Sequence, residues 1–163
     1  PAELSSGLNV ARNDGHDADP LLARLDRFGA DPRDERAQLL RVLSRPDPLL
    51  LQDIGPRLLQ RADAGPAAYW FDGRPLDPRV AEPALALLPC ALGLPCDDSD
   101  PQVWTACLQG QACADSREQL VLARAAPDDA ALRREILALV HRLSQAVKAA
   151  DAERFVAPMP AAD

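Results

Sequence analysis

The four cysteines of this 163-residue chain carry its most specific chemical signal, because they form one motif that occurs twice. Cys90 and Cys96 flank a central glycine as C-x2-G-x2-C, and Cys107 and Cys113 repeat that spacing. Five residues between cysteines exceed the spacing of about two to four that is common in zinc sites. The pattern therefore predicts disulfides formed in an oxidising compartment. A zinc site and reduced, buried thiols are the alternatives.

Four cysteines allow three pairings, and the duplication favours two equivalent local bridges, Cys90–Cys96 and Cys107–Cys113. Each motif follows an apolar run and contains a glycine, Gly93 or Gly110. This arrangement predicts a helix with a cysteine in its last turn and a glycine in the left-handed conformation just beyond its end. The segment after the glycine would then bring the second cysteine back to the first.

The other residues that could perform chemistry form no recognisable catalytic motif. His16 and His141 lie far apart in the sequence, and there is no nucleophile elbow, zinc-protease motif or phosphate-binding glycine loop. With 25 acidic residues, some carboxylates must be neighbours, so such a pair is not evidence for catalysis. The run 97–100 offers oxygen ligands but lacks the glycine and final glutamate of a calcium loop, and is predicted to be an exposed loop ending in a helix N-cap. No metal or cofactor is expected.

Composition indicates an all-α protein. Apolar residues make up 47% of the chain and aromatic residues only 4%; leucine and alanine dominate and β-branched residues are few. The formal net charge of −7 disfavours nucleic acid as a ligand, since an acidic chain repels phosphate. No apolar run approaches the roughly 18 residues that would span a bilayer.

Helix starts are marked by an Asp-Pro pair. An aspartate at the N-cap accepts hydrogen bonds from free amides of the first turn, and a proline at the first helical position has no amide to leave unpaired. Isolated turns are the alternative interpretation. The pairs are Asp19-Pro20, Asp31-Pro32, Asp47-Pro48, Asp77-Pro78 and Asp100-Pro101.

These signals predict one helical domain, 19–157, between a flexible arm, 1–18, and a flexible tail, 158–163. Its architecture would be an irregular bundle, or a short stack, of six to eight short helices that two disulfides stabilise. The first predicted helices are 20–28, 32–44 and one that starts at Pro48, is kinked or broken by Gly55-Pro56 and ends at Gly65-Pro66. A turn at 78–82 and an uneven helix to Leu92 follow, interrupted by Pro83 and Pro89. The last helices are 101–109, then 116–125 with an S-x-x-Q capping box, and one from Pro127-Asp128 to about 150.

Apolar spacing assigns residues to the core. The helix 32–44 would place Leu39, Leu40 and Leu43 inside, and the helix 101–109 has Val103, Trp104 and Leu108 as its apolar residues. The last helix has the clearest pattern, a single stripe of period 3.6. Its members are Leu132, Ile136, Leu139, Val140, Leu143 and Val147.

The segment 64–77 is predicted to be irregular, with at most an incidental hairpin. It contains three consecutive aromatic residues, Tyr69, Trp70 and Phe71, followed closely by Arg74. One interpretation is a loop that aromatic side chains anchor to the core. The other is a recognition loop in which these four residues contact a partner, since tyrosine, tryptophan and arginine are enriched in binding hot spots.

The stretch Ala86–Ser116, together with the amphipathic helix 130–150, resembles a group of uncharacterised exported bacterial proteins. They are helical and carry the C-x2-G-x2-C motif twice before a C-terminal helix. Pro89 before the first cysteine, and Phe155 where a tryptophan would be expected, depart from their pattern. The resemblance implies a periplasmic or secreted location and no particular activity. The chain starts with Pro1-Ala2-Glu3 rather than methionine, as expected of a mature chain that has lost its leader or of a recombinant one.

Together these features predict a non-catalytic extracytoplasmic module that binds another protein, as an inhibitor, an immunity protein or an accessory subunit. A small hydrolase that uses acidic residues is the alternative.

Overall fold

The computed structural model of this protein describes residues 32–59, 69–111 and 113–156. Within them the fold is all-α, with six helices and one two-stranded hairpin. The helices are α1 (Pro32–Ser44), α2 (Pro48–Leu59), α3 (Pro78–Ala91), α4 (Pro101–Leu108), α5 (Arg117–Ala125) and α6 (Ala130–Lys148). Strands β1 (Tyr69–Phe71) and β2 (Arg74–Leu76) pair antiparallel between α2 and α3, and a short 3₁₀ helix, Ala152–Arg154, follows α6. The prediction of an irregular helical fold with an incidental hairpin is confirmed. The arm, the helix 20–28, the Gly65-Pro66 helix end and the tail lie outside the described residues.

The Asp-Pro pairs within the described residues behave as predicted. Asp47, Asp77 and Asp100 each accept a hydrogen bond through a side-chain oxygen from the amide two residues later, at 2.8–2.9 Å. Asp129 caps α6 in the same way, accepting from two amides. These helix ends therefore follow from local sequence, because the cap and the amide it binds lie within one turn of each other.

The predicted interruption of α3 is wrong, because this helix continues through Pro83 and Pro89. Of the two alternatives at Gly55-Pro56, the break is wrong, since α2 continues through both residues. Both prolines of α3 are buried, and this helix packs against α2, α5 and α6. Helical backbone is retained because tertiary packing on three sides outweighs the amide hydrogen bonds that the prolines cannot form. Gly55 is buried and faces Leu85 of α3, where an added Cβ would make ordinary van der Waals contact.

The main core lies around α3, with α6 as its largest partner. The predicted stripe on α6 is confirmed: Ile136, Leu139, Val140, Leu143 and Val147 are buried, and Leu132 is half-buried against the same core. On α1, Leu39 and Leu43 are buried as predicted, whereas Leu40 is exposed. Leu40 lies beside Leu39 on the helix and turns about 100° away from it, so both cannot face the same core.

A second, much smaller core joins α4 to α5. It consists of Val103, Ala106 and Leu120, with Ala114 packed against it. Because α4 has few apolar partners, only a narrow stripe of this helix is covered.

Candidate functional site

The hairpin places the four predicted contact residues in different environments. Tyr69 and Phe71 are buried in the core, Trp70 is half-buried and Arg74 is exposed. Alternate residues of a strand face opposite sides, which explains why Tyr69 and Phe71 point inward together. The anchoring interpretation describes these two residues. Contact with a partner stays a prediction, and Trp70 and Arg74 are the members of the set that have accessible surface.

Sequence reasoning overlooked the turn of this hairpin. Phe71 pairs with Arg74, which leaves Asp72 and Gly73 as a two-residue loop, and both have positive φ, +58° and +77°. Asp-Gly is a preferred dipeptide for this type I′ turn, because glycine and aspartate tolerate the left-handed conformation better than most residues. The dipeptide was the signal from which the hairpin could have been predicted.

Three arginines surround the Asp72 carboxylate. Arg154 donates to it through two nitrogens, at 3.1 and 3.0 Å, and Arg142 lies 3.6 Å away. Arg154 and Arg142 also lie over the Phe71 ring, at 4.9 and 5.9 Å from its centre. The hydrogen bonds from Arg154, supported by the charges of Arg154, Arg142 and Arg74, hold the pKa of Asp72 below its usual value. We call Asp72, Arg74, Arg142 and Arg154 the arginine cluster.

The C-terminal chain is joined to this hairpin. The Asp72 amide donates to the Arg154 carbonyl at 2.7 Å, and the Phe71 and Phe155 rings meet edge to face with centres 5.1 Å apart. The cluster therefore rests on a packed base.

Both cysteine motifs form the predicted local bridges. Cys90 is bonded to Cys96 and Cys107 to Cys113, with Cα–Cα distances of 5.7 and 4.6 Å. Gly93 and Gly110 have φ of +103° and +79°. Each glycine amide donates to the carbonyl of the preceding cysteine, and the next amide returns to Pro89 or Ala106. This pair of bonds is the Schellman motif, so both predicted glycine caps are confirmed.

The second motif presents an apolar surface. Trp104 and Leu108 are 67% and 74% exposed, whereas Val103 and Ala106 of the same helix are buried. Residues four apart lie on one face of a helix, so Trp104 and Leu108 form one patch, which we call the α4 patch. From Pro101 to Ala114 the chain also has no charged side chain.

A buried ion pair connects the two motifs. Arg117, the first residue of α5, donates to Asp100 at 2.6 Å and to Gln52 of α2 at 2.9 Å, and its amide donates to the Cys96 carbonyl. Asp100 and Arg117 are 1% and 3% exposed. The cap of α4 and helix α2 therefore meet at the Arg117 guanidinium, and the end of the first cysteine loop is bound to the backbone amide of the same residue. The prediction that Asp100 is an N-cap is confirmed, but its burial and its partner Arg117 gave no sequence signal.

Two shallow grooves lie beside the cysteine loops. One, of about 420 Å³, is lined by Leu87, Leu137, Val140 and the Cys90–Cys96 bridge. The other, of about 390 Å³, is lined by polar residues of α4 and by Arg124, whose guanidinium donates to Gln111. Side chains from more than one helix line each groove.

The acidic residues with defined partners serve structural contacts. Glu82 accepts from the Tyr69 hydroxyl at 3.2 Å, Asp97 accepts from Ser99, and Glu153 pairs with Arg36. The hydrogen bonds from Ser99 lower the pKa of Asp97 below its usual value. His141 is exposed and lies 2.9 Å from the Gln145 side chain. Within the described ranges, no three histidine, cysteine or carboxylate residues are grouped to hold a metal ion.

Comparison with known proteins adds no relative, since no family model, curated protein or solved structure matches this chain.

Proposed function

We propose that this protein is a non-catalytic extracytoplasmic module that binds another protein through the α4 patch. The observation that carries the proposal is the pairing of Trp104 and Leu108, both more than half exposed, on one turn of α4. Single exposed apolar residues are common on protein surfaces. A tryptophan with a leucine one turn away is less ordinary, because tryptophan is a frequent binding hot spot.

The surroundings of the patch support the same interpretation. Interface cores are depleted in charged residues, and the charge-free stretch 101–114 occurs in a chain in which 26% of residues are charged. The other charge-free stretch of similar length, 83–96, belongs largely to the buried helix α3. Burial accounts for the lack of charge in 83–96, and contact with a partner would account for it in 101–114.

The patch is held rigidly. At one end of α4, Asp100 caps the helix and pairs with Arg117; at the other, Cys107 is bonded to Cys113 and Gly110 completes the helix end. A surface that is already ordered loses little conformational entropy on binding. Binding of a partner would explain why a helix that contributes little to the main core is stabilised at both ends.

The patch also indicates the chemistry of its partner. Two large side chains offer on the order of 300 Å². A second copy would meet them with the same two protruding side chains and bury only roughly 600 Å² in total, whereas a groove that encloses them also contacts the neighbouring surface and can approach the approximately 1,200–2,000 Å² of a stable interface. A second copy of this chain is therefore disfavoured. The partner we propose is a different protein with an apolar groove that accepts the indole and leucine side chains, bordered by uncharged hydrogen-bonding groups that meet Thr105 and Gln109.

The extracytoplasmic location is supported by the two disulfides, which persist in oxidising compartments, and by the resemblance to exported bacterial proteins. None of the helices that the structure describes is long and apolar enough to cross a membrane.

The test is a Trp104→Ser, Leu108→Ser variant. The parent and the variant would be immobilised and exposed to periplasmic extract or culture supernatant, and the recovered protein would then be purified and titrated directly. We expect about thirtyfold to eight-hundredfold weaker binding by the variant, because the loss of a hot spot commonly costs about 2–4 kcal/mol.

The matched control is Leu40→Ser, Leu49→Ser, which removes two other exposed leucines. It should bind like the parent, and circular dichroism should show all three proteins equally folded. Equal binding by the folded Trp104→Ser, Leu108→Ser variant would refute the proposal. Binding lost only in a Trp70→Ala, Arg74→Ala variant would assign the contact to the hairpin instead.

A further inference from the structure

The arginine cluster has more positive charge than its own carboxylate can neutralise. Its three guanidinium groups and the single Asp72 carboxylate sum to a net charge of +2, on a protein whose formal net charge is −7. Glu153, next to Arg154 in sequence, is paired with Arg36 and does not neutralise the cluster. A locally basic surface on an acidic protein requires a physical explanation.

The arginines of the cluster differ in how many hydrogen bonds their guanidinium groups donate. Arg154 binds Asp72 through two nitrogens. Arg142 is 3.6 Å from Asp72, an ion pair beyond hydrogen-bond distance, and it leaves 31% of its side chain exposed. Arg74 is exposed on β2 and acts on Asp72 only through its charge. In the described part of the chain, neither Arg74 nor Arg142 donates a hydrogen bond through its guanidinium.

Several other arginines of this protein do use their guanidinium donors in hydrogen bonds. Arg79 binds Asp77, Arg124 donates to Gln111, and Arg133 donates to the backbone carbonyl of Ala126 at 2.6 Å. Arg45 and Arg134 also lack such bonds within the described ranges, but they are exposed residues that share no carboxylate. Arg74 and Arg142 differ from these two because they lie on one side of the hairpin. Arg74 is the cross-strand partner of Phe71, so its side chain leaves the same face as the Phe71 ring, over which Arg142 lies.

The base of the cluster holds the guanidinium of Arg142 in place. Arg142 and Arg154 lie over the Phe71 ring, which packs in turn against Phe155. Stacking on an aromatic face restricts a guanidinium group and leaves its N–H donors directed outward. Asp72 already shows which ligand this geometry accepts, because its carboxylate is bound by the paired nitrogens of an arginine.

From this arrangement we infer that the arginine cluster binds a carboxylate-rich segment of another protein through Arg74 and Arg142. A carboxylate of that segment would lie between the two guanidinium groups, as Asp72 lies between Arg154 and Arg142. Paired donors of this kind recognise carboxylates through charge-assisted hydrogen bonds. The surface differs from the α4 patch in both position and chemistry, so either proposal can fail while the other holds.

The probe for this site is a blocked hexaglutamate peptide, titrated at low salt into the ¹⁵N-labelled full chain. We expect the largest amide shifts in residues 72–76 and around Arg142, and binding that weakens as salt is added, because exposed charges are screened. An Arg74→Gln, Arg142→Gln variant should bind the peptide about threefold to tenfold more weakly.

The matched control is Arg45→Gln, Arg134→Gln, which also removes two exposed positive charges and should bind like the parent. If the first variant does not fold, Arg74→Gln alone, on the exposed strand, should still weaken binding about twofold to threefold. Equally weakened peptide binding by the control variant would show that only the net charge of the protein matters, and the proposed site would be wrong.

Two further titrations exclude other ligands. Inorganic phosphate at equal ionic strength should not reproduce the shifts around residues 72–76 and Arg142. If it does, the site is a general anion site and the peptide assignment is wrong. Vesicles containing phosphatidylglycerol should not bind through Arg74 and Arg142; binding that the double variant abolishes would assign the surface to a membrane instead.

Discussion

The two cysteine motifs have the same local structure and opposite surroundings. In each, a helix ends in a Schellman motif with a left-handed glycine, and a disulfide closes over the same sequence separation of six. The first motif ends α3, whose Leu87 and Leu88 are buried in the main core. The second ends α4, where Val103 and Ala106 meet a small satellite core and Trp104 and Leu108 face outward.

The comparison separates local geometry from burial. Cysteine and glycine spacing determines how the chain turns, because those bonds lie within a few residues. Burial depends on what each helix packs against, and α3 has α2, α5 and α6 whereas α4 has chiefly α5. The first motif therefore stabilises a helix of the main core, whereas the second stabilises a helix with an exposed apolar surface.

The largest expected effect comes from disconnecting the two motifs at Asp100. Asp100→Ala should lower the free energy of unfolding by about 3–5 kcal/mol, because it leaves the Arg117 guanidinium buried without its charge partner and removes the α4 cap. Urea denaturation followed by circular dichroism measures the loss. Asp77→Ala is the control, since it removes the same kind of cap beside the exposed Arg79 and should have a clearly smaller effect. Similar losses in the two variants would show that the buried pair contributes little.

Removing each disulfide in turn tests whether the two regions differ in cooperativity. Chain entropy predicts about 2–2.5 kcal/mol for either six-residue separation. Cys90→Ser, Cys96→Ser should show this loss in global unfolding, because α3 belongs to the main core. Cys107→Ser, Cys113→Ser should show less, since loss of the bridge that holds the end of α4 allows this helix to open locally, and hydrogen exchange should instead report lost protection in 101–111. Equal global losses with uniform exchange would mean that α4 unfolds only with the rest of the molecule.

The smallest effects concern the left-handed residues at helix ends. Gly110→Ala should lower the free energy of unfolding by about 1 kcal/mol, from backbone strain alone, because an added Cβ would meet no atom within 4 Å. Helix α6 has the same pair of end bonds, but its left-handed residue is Ala150, with φ of +50°. Ala150→Gly should therefore have the opposite sign, a gain of about 0.5 kcal/mol or less after the loss of its packing contacts. Thermal melts that shift in the same direction for both variants would contradict the account of strain.

Much of the fold could be predicted from short-range patterns. The Asp-Pro caps, the glycine turns and the stripe on α6 depend on residues within one or two turns of each other, and the structure follows them. Continuous helix through Pro83 and Pro89 could not be predicted, because its cause is packing with α2, α5 and α6. The hairpin was foreseen only as an incidental one, although Asp72-Gly73 carried its turn signal.

For the candidate sites, the sequence by itself determined the types of side chain present, and the tertiary structure decided which of them reach the surface. The run Tyr69-Trp70-Phe71 was compatible with an anchored loop or a recognition loop, and strand alternation and the packing of Phe71 on Phe155 bury two of its three rings. Trp104 is one of the apolar residues of α4, and it is exposed because α4 has too few neighbours to cover two of its faces. Arg74, Arg142 and Arg154 lie far apart in the chain, and they meet at Asp72 because α6 and the 3₁₀ helix pack against the hairpin. Burial and long-range charge pairing depend on which elements become neighbours, and only the folded chain establishes that.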